Sequence, residues 1–137
     1  MTTYRVSWGR GDGAAAVTST VELDAVLDTI TTGPTGLPYS VSVFVDNDDD
    51  FPPMIDICIG DPEKSFVYHV GAEGSSAWGY ELGVQPQNDL VFDYAGQATD
   101  AWPERTRVTP RAARQAAREF VGRDGARPTS LQWDLQD

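Results

Sequence analysis

The 137-residue sequence predicts an α+β fold, with a single mostly antiparallel sheet of about six to seven strands and two helices, ordered strand-helix-strands-helix-strand. Three observations carry that expectation. A capped amphipathic helix follows an opening strand, alternating segments fill the middle of the chain, and a second capped helix leads into a last alternating strand. Residues 1–137 are expected to form one domain, since a chain of this length can bury a continuous core.

TYRVSW (3–8) reads as the opening strand, and the Gly-rich GRGDG behind it as a turn. In STVELDAVLDTI, Ser19 precedes Glu22 by three residues, the spacing of a capping box. Leu23, Val26, Leu27 and Ile30 then share one helical face. TTGPTGLP ends the helix. In YSVSVFV, Val41, Val43 and Val45 point one way and Ser40 and Ser42 the other. In MIDICIG, Ile55, Ile57 and Ile59 oppose Met54, Asp56 and Cys58. SFVYHV, AWGYEL and DLVFDY continue the alternation, separated by GDPEK, GAEGSS and GVQPQN, all rich in turn formers. Thr109 is placed to cap a helix whose first residue is Pro110, where a missing N–H costs nothing. Ala113, Ala116, Ala117 and Phe120 give that helix a shallow apolar face, and Arg111, Arg114 and Arg118 share another. GRDGARP breaks it, and TSLQWDL sets Leu131, Trp133 and Leu135 on one face of a final strand.

Composition narrows the function. With 40% hydrophobic residues the chain suits a globular fold rather than a disordered one. No run approaches the roughly 18 apolar residues of a membrane span, and the N-terminus has no secretory pattern. The single cysteine, Cys58, has no intramolecular disulfide partner, so a cytoplasmic protein is the simplest reading. A net charge of −11 argues against direct binding to nucleic acid or to an anionic membrane. The charge is also uneven. Residues 1–103 hold three basic residues against sixteen acids, a net of −13, whereas residues 104–137 hold seven arginines against five acids, a net of +2. Such an acidic body suits a basic partner, or serves solubility alone.

The densest charge lies in VDNDDDFPP (45–53), between two strands, where Pro52 and Pro53 stop the ladder. Asp46, Asp48 and Asp50 match positions 1, 3 and 5 of a calcium loop. Phe51 stands where that loop needs glycine, however, and Ile57 where it needs the bidentate glutamate. One histidine and one cysteine cannot complete a zinc site. His69 and Cys58 could pair as base and nucleophile across neighbouring strands, but no third group orients them. Adjacent aspartates in a solvated loop are poor general acids, and neither a phosphate loop nor a nucleophile elbow occurs. The residues therefore favour a non-enzyme without a cofactor. A small calcium-binding or carboxylate-dependent enzyme module using the aspartate loop is the alternative.

What remains is surface. Trp78 and Tyr80 share one strand face, with Glu73 and Glu81 nearby. They are either core residues facing a helix or anchors of an acid-rimmed interface, where Trp and Tyr dominate binding energy. Asp46, Asp48, Asp49, Asp50, Asp61, Glu63, Glu73 and Glu81 would then steer a basic partner toward Trp78 and Tyr80.

The last third of the chain carries a resemblance. DYAGQATDAWPERTRVTPRAARQAAREFVGRDGARPTSLQWD combines an aromatic-proline pair (Trp102-Pro103), a capped helix ending in Phe120, a Gly-x-x-Pro turn (Gly125, Pro128) and a strand bearing Trp133. This pattern resembles the C-terminal signature of immunity family one of bacterial polymorphic-toxin systems, best over 88–134 and more weakly over 36–87. The resemblance implies a cytoplasmic antidote whose partner is a cognate toxin domain, often a zinc-dependent nucleic-acid deaminase. It implies no catalytic residues and gives the tryptophan and proline positions a structural role.

Overall fold

Val41, Val43, Ile55, Ile57 and Val67 lose all solvent exposure on one face of the central strands, and that is the face the helices cover. The computed structural model describes residues 2–10, 13–30 and 36–136. Among these are nine strands: β1 (Tyr4–Trp8), β2 (Gly13–Val17), β3 (Tyr39–Val45), β4 (Met54–Ile59), β5 (Val67–Val70), β6 (Ser76–Tyr80), β7 (Val91–Tyr94), β8 (Gln97–Asp100) and β9 (Gln132–Gln136). Two helices, α1 (Thr20–Thr29) and α2 (Pro110–Gly122), and a 3-10 turn at Pro103–Arg105 complete the described elements. The sheet runs β2-β1-β3-β4-β5-β6-β9, antiparallel throughout. The β7–β8 hairpin stands off this path and meets β3 through one parallel pair, Tyr39 with Asp93.

The α+β class is as expected, but nine strands exceed the six to seven anticipated, because β2 and β8 lack a strand pattern. GAAAV has little β-propensity, and pairing with β1 supplies what its side chains do not. QATD is almost wholly exposed, and it follows a two-residue turn in which Ala95 (φ 51°) and Gly96 (φ 92°) both take positive φ, as a twisted hairpin requires. Of the expected connections, Gly11 and Asp12 of GRGDG and residues 31–35 of TTGPTGLP lie outside the described residues.

The helix signals act as read, with one change. Ser19 caps α1 by accepting from the Glu22 N–H at 3.2 Å. The Glu22 carboxylate accepts from the Thr18 N–H and hydroxyl, both at 2.6 Å, one residue further back than in a capping box. Thr109 caps α2 through the Ala112 N–H at 3.2 Å. The small Ala113, Ala116 and Ala117 are buried in the common core with Phe120, so α2 packs directly against β4. Asp24 and Asp28 of α1 hold Arg114 of α2, and Asp24 also holds Arg118. At its C-terminus, Asp124 takes φ 55° and the Gly125 N–H returns to the Phe120 carbonyl at 2.8 Å, a Schellman closure. Gly125 has φ +83°, and a Cβ there would sit 3.0 Å from Val45 and 3.2 Å from Pro53, so the turn admits no side chain. The Trp133 indole N–H donates to the Pro128 carbonyl at 2.9 Å, which gives the Gly-x-x-Pro-to-Trp spacing a structural purpose.

Across the sheet, Cys58, Phe66, Leu90 and Phe92 form a second, smaller cluster flanked by Trp78 and Ala101. The β7–β8 hairpin supplies it by leaning over part of the face that the helices leave uncovered.

Candidate functional site on the open face of the sheet

Strand β6 decides which residues this face presents. Ala77 is fully buried toward the helices, and Gly79 turns the same way. A Cβ on Gly79 would lie 2.8 Å from Leu131 and 3.2 Å from Trp133, so side chains from the β9 segment already fill that side. Trp78 and Tyr80 therefore face away from the helices. Of the two readings that the sequence left open, the one in which they face a helix is not met, although Trp78 does pack against the smaller cluster.

The aromatic rings there meet in tilted and edge-to-face contacts and are partly accessible. Trp78 lies 4.6 Å from Tyr68 and 6.1 Å from Phe66, centroid to centroid. The Arg105 guanidinium sits 4.5 Å from the ring centroids of both Trp78 and Trp102, a cation held between two indoles. Arg107 stands 4.1 Å over Tyr80 and pairs with Asp134. Trp102 is 61% and Tyr94 57% exposed. Between these rings and the sheet lies a cleft of about 220 Å³, whose lining includes Asp56, Trp78, Phe92, Tyr94, Trp102 and Arg105. Asp56 rises from β4, and its carboxylate accepts the Ser42 hydroxyl at 2.6 Å. Loss of hydration pushes its pKa up to about 6, against the opposing pull of that hydrogen bond.

The acidic residues singled out in the sequence do not converge. Asp48, Asp49 and Asp50 are exposed in the β3–β4 connection, where Asn47 accepts the Asp49 N–H at 2.9 Å, and Asp46 approaches Arg5 at 3.9 Å. Glu73 lies in the β5–β6 connection, and its pKa is lowered chiefly by the hydrogen bond from Ser75. The register Met54–Val70–Ser76 brings these two connections to one end of the sheet. Asp61 and Glu63 occupy the β4–β5 connection at the opposite end, where Asp61 accepts the N–H groups of Glu63 and Lys64. Glu81, just past β6, is also at that end and accepts the Thr109 N–H at 2.6 Å, so its charge serves the start of α2. Trp78 and Tyr80 lie on the face between the two acidic ends.

Asp56, Tyr94, Trp102 and Arg105 were not singled out in the sequence as site residues. Trp102 had a structural role in the recognised signature. The available signal for Asp56 was a carboxylate at a strand position flanked by isoleucines.

Catalytic alternatives meet specific obstacles. Cys58 lies on the open face, with its thiol pushed up to about 12 by burial and by Asp61. His69 is paired with Ile55 and faces the helices, so the two cannot act together. Its Nε2–H donates to the Gly125 carbonyl at 3.1 Å and its Nδ1 accepts from Arg127 at 3.1 Å, while burial lowers its pKa. Among the described residues, no three His, Cys, Asp or Glu side chains are grouped to hold a metal. Nor is any helix among them long and apolar enough to cross a membrane.

A family model described as Immunity protein Imm1 matches residues 11–135. Searches of curated proteins and of solved structures return no match.

Proposed function

The chain belongs to the Imm1 immunity protein family, and from that premise we propose that it binds and neutralises a cognate bacterial toxin in the cytoplasm by occluding the toxin's active site. The proposed partner is a zinc-dependent nucleic-acid deaminase. Such an enzyme needs a basic groove for its substrate, and an acidic body competes for that groove as a polyanion.

The observation that carries this reading is the cluster of mutually contacting, partly exposed aromatic rings on the sheet face free of helices, in a chain of net charge −11. Trp78 and Tyr80 are the proposed anchors, with Trp102 beside them, since hot spots combine large rings with exclusion of water. Asp46, Asp48, Asp49, Asp50 and Glu73 at one end, and Asp61, Glu63 and Glu81 at the other, add to encounter rate more than to affinity. A binding rather than catalytic role is supported by the buried Cys58 thiol and by a His69 ring with both nitrogens engaged.

The test uses the toxin domain encoded beside this chain, expected to carry His-x-Glu and Cys-x-x-Cys zinc motifs. Adding the purified chain should abolish deamination at one equivalent, and a substrate oligonucleotide should compete with the chain for the toxin. A tight complex that still deaminates at full rate contradicts active-site occlusion. Changing Asp48, Asp49 and Asp50 together to Asn should slow association by about threefold to tenfold at low salt and flatten its salt dependence. An unchanged association rate contradicts the steering role.

A further inference from the structure

The cleft under the β7–β8 hairpin has three properties that together specify an occupant. Its volume of about 220 Å³ lies below the roughly 300–1,000 Å³ of typical small-molecule pockets, so one large side chain suits it better than a cofactor. Its lining includes the rings of Trp78, Phe92, Tyr94 and Trp102, a residue type whose faces attract cations, as Arg105 over Trp78 and Trp102 already shows. The sheet beneath presents Asp56, one of whose carboxylate oxygens accepts from Ser42, while no basic side chain among the described residues lies within ion-pair distance. Asp100 adds a second carboxylate to the lining. Among the described residues, Arg105 is the one cation lining the cleft. It is held between two indoles and forms no ion pair with Asp56.

We propose that this cleft receives one basic side chain, arginine or lysine, from the bound partner, with its charge on the Asp56 carboxylate and its methylene stem along the aromatic walls. The inference rests on the immunity reading for the partner's identity, but the chemistry of the cleft is its own. The geometry suits both parts of such a side chain. A guanidinium is planar and can meet the free carboxylate oxygen while stacking on a ring. The stem replaces water against apolar carbon. The net charge of −11 favours a partner whose surface offers such residues. Burial leaves the Asp56 carboxylate poorly hydrated, and an incoming cation would compensate it. Capture should therefore weaken as pH falls from 7 to 5, with a proton taking the cation's place.

The test titrates the whole chain with Nα-acetyl-arginine amide and, separately, with the neutral isostere Nα-acetyl-citrulline amide. The indole N–H resonances of Trp78 and Trp102 report binding. The arginine compound should shift both resonances saturably at pH 7.5, and the citrulline compound should not. Asp56→Asn keeps the shape and the Ser42 contact, and it should weaken the arginine response at least tenfold while the melting transition stays cooperative. Equal responses to the two compounds, or an arginine response undiminished in Asp56→Asn, would overturn the assignment. Toxin neutralisation by both chains is measured in parallel. If arginine amide binds but the wild-type chain does not bind the toxin, the immunity reading fails and the cleft assignment stands. If both chains neutralise the toxin equally and arginine amide does not bind, the cleft assignment fails alone.

Discussion

The two faces of this sheet are made from alternate residues of the same strands and meet different demands. On the helix-covered face, Val6, Val41, Val43, Ile55 and Ile57 have no exposure, nor has Phe120 of α2 packed on them, and the buried polar His69 has a partner at each ring nitrogen. On the open face, Tyr68, Trp78 and Tyr80 stay partly accessible, and the Asp56 carboxylate has one hydrogen bond and a raised pKa. The first face resolves its packing and its polar groups within the chain, which makes it the seat of stability. The second leaves rings and a charge for something outside the chain, which makes it the seat of recognition. The arginines of the C-terminal third fit the same division. Arg114 and Arg118 join the helices, Arg127 holds His69, and Arg105 and Arg107 lie on open-face rings. The local excess of positive charge is thus largely spent inside the molecule.

The largest difference between the two faces is expected in stability. Phe120→Ala empties a fully buried site and should cost about 3–5 kcal/mol by chemical denaturation. A loss below about 1 kcal/mol would show that the helical face does not hold the fold. Gly79→Ala places a methyl against Leu131 and Trp133 on that same face and should cost about 1–3 kcal/mol, with Trp78 and Tyr80 still facing out.

Asp56→Asn sharpens the contrast through pH. The folded-state pKa of about 6 lies above the roughly 3.9 of an unfolded aspartate, so the native state binds the proton more tightly. The stability linked to that proton is fully present below about pH 4 and is lost as pH rises through 6. Wild type and Asp56→Asn should therefore match near pH 4, and the variant should be more stable by about 1–2 kcal/mol at pH 8, after allowance for water in the cleft. His69 has the opposite sign: its lowered pKa contributes stability above pH 6.5 that is lost as pH falls below it. Urea midpoints across pH 4–8 separate the two, because Asp56→Asn removes only the first. A constant difference between wild type and variant across that range would contradict the origin assigned to it.

Much of this architecture was legible in the sequence where the signal is local. Ser19 and Thr109 cap the helices, and YSVSVFV matches β3 residue for residue. The orientation of β6 was not legible, because alternation separates two sets of residues without saying which faces the helices. Trp78 and Tyr80 could face a helix or form an interface, and what decides between the two is that Leu131 and Trp133 fill the side of Gly79. The cleft was harder still. It arises where residues 92–105 fold back over positions 40, 56 and 78, and no local pattern reports so distant a register.

The most direct test of recognition by the open face is Trp102→Ala, which removes a 61%-exposed ring while leaving the core untouched. Affinity for the cognate toxin and unfolding free energy would be measured on the same preparation. A stability loss under about 1 kcal/mol, with Kd weakened at least about thirtyfold, is the predicted result. An unchanged Kd for Trp102→Ala and equally for Trp78→Ala, in chains that remain folded, would contradict recognition by this face.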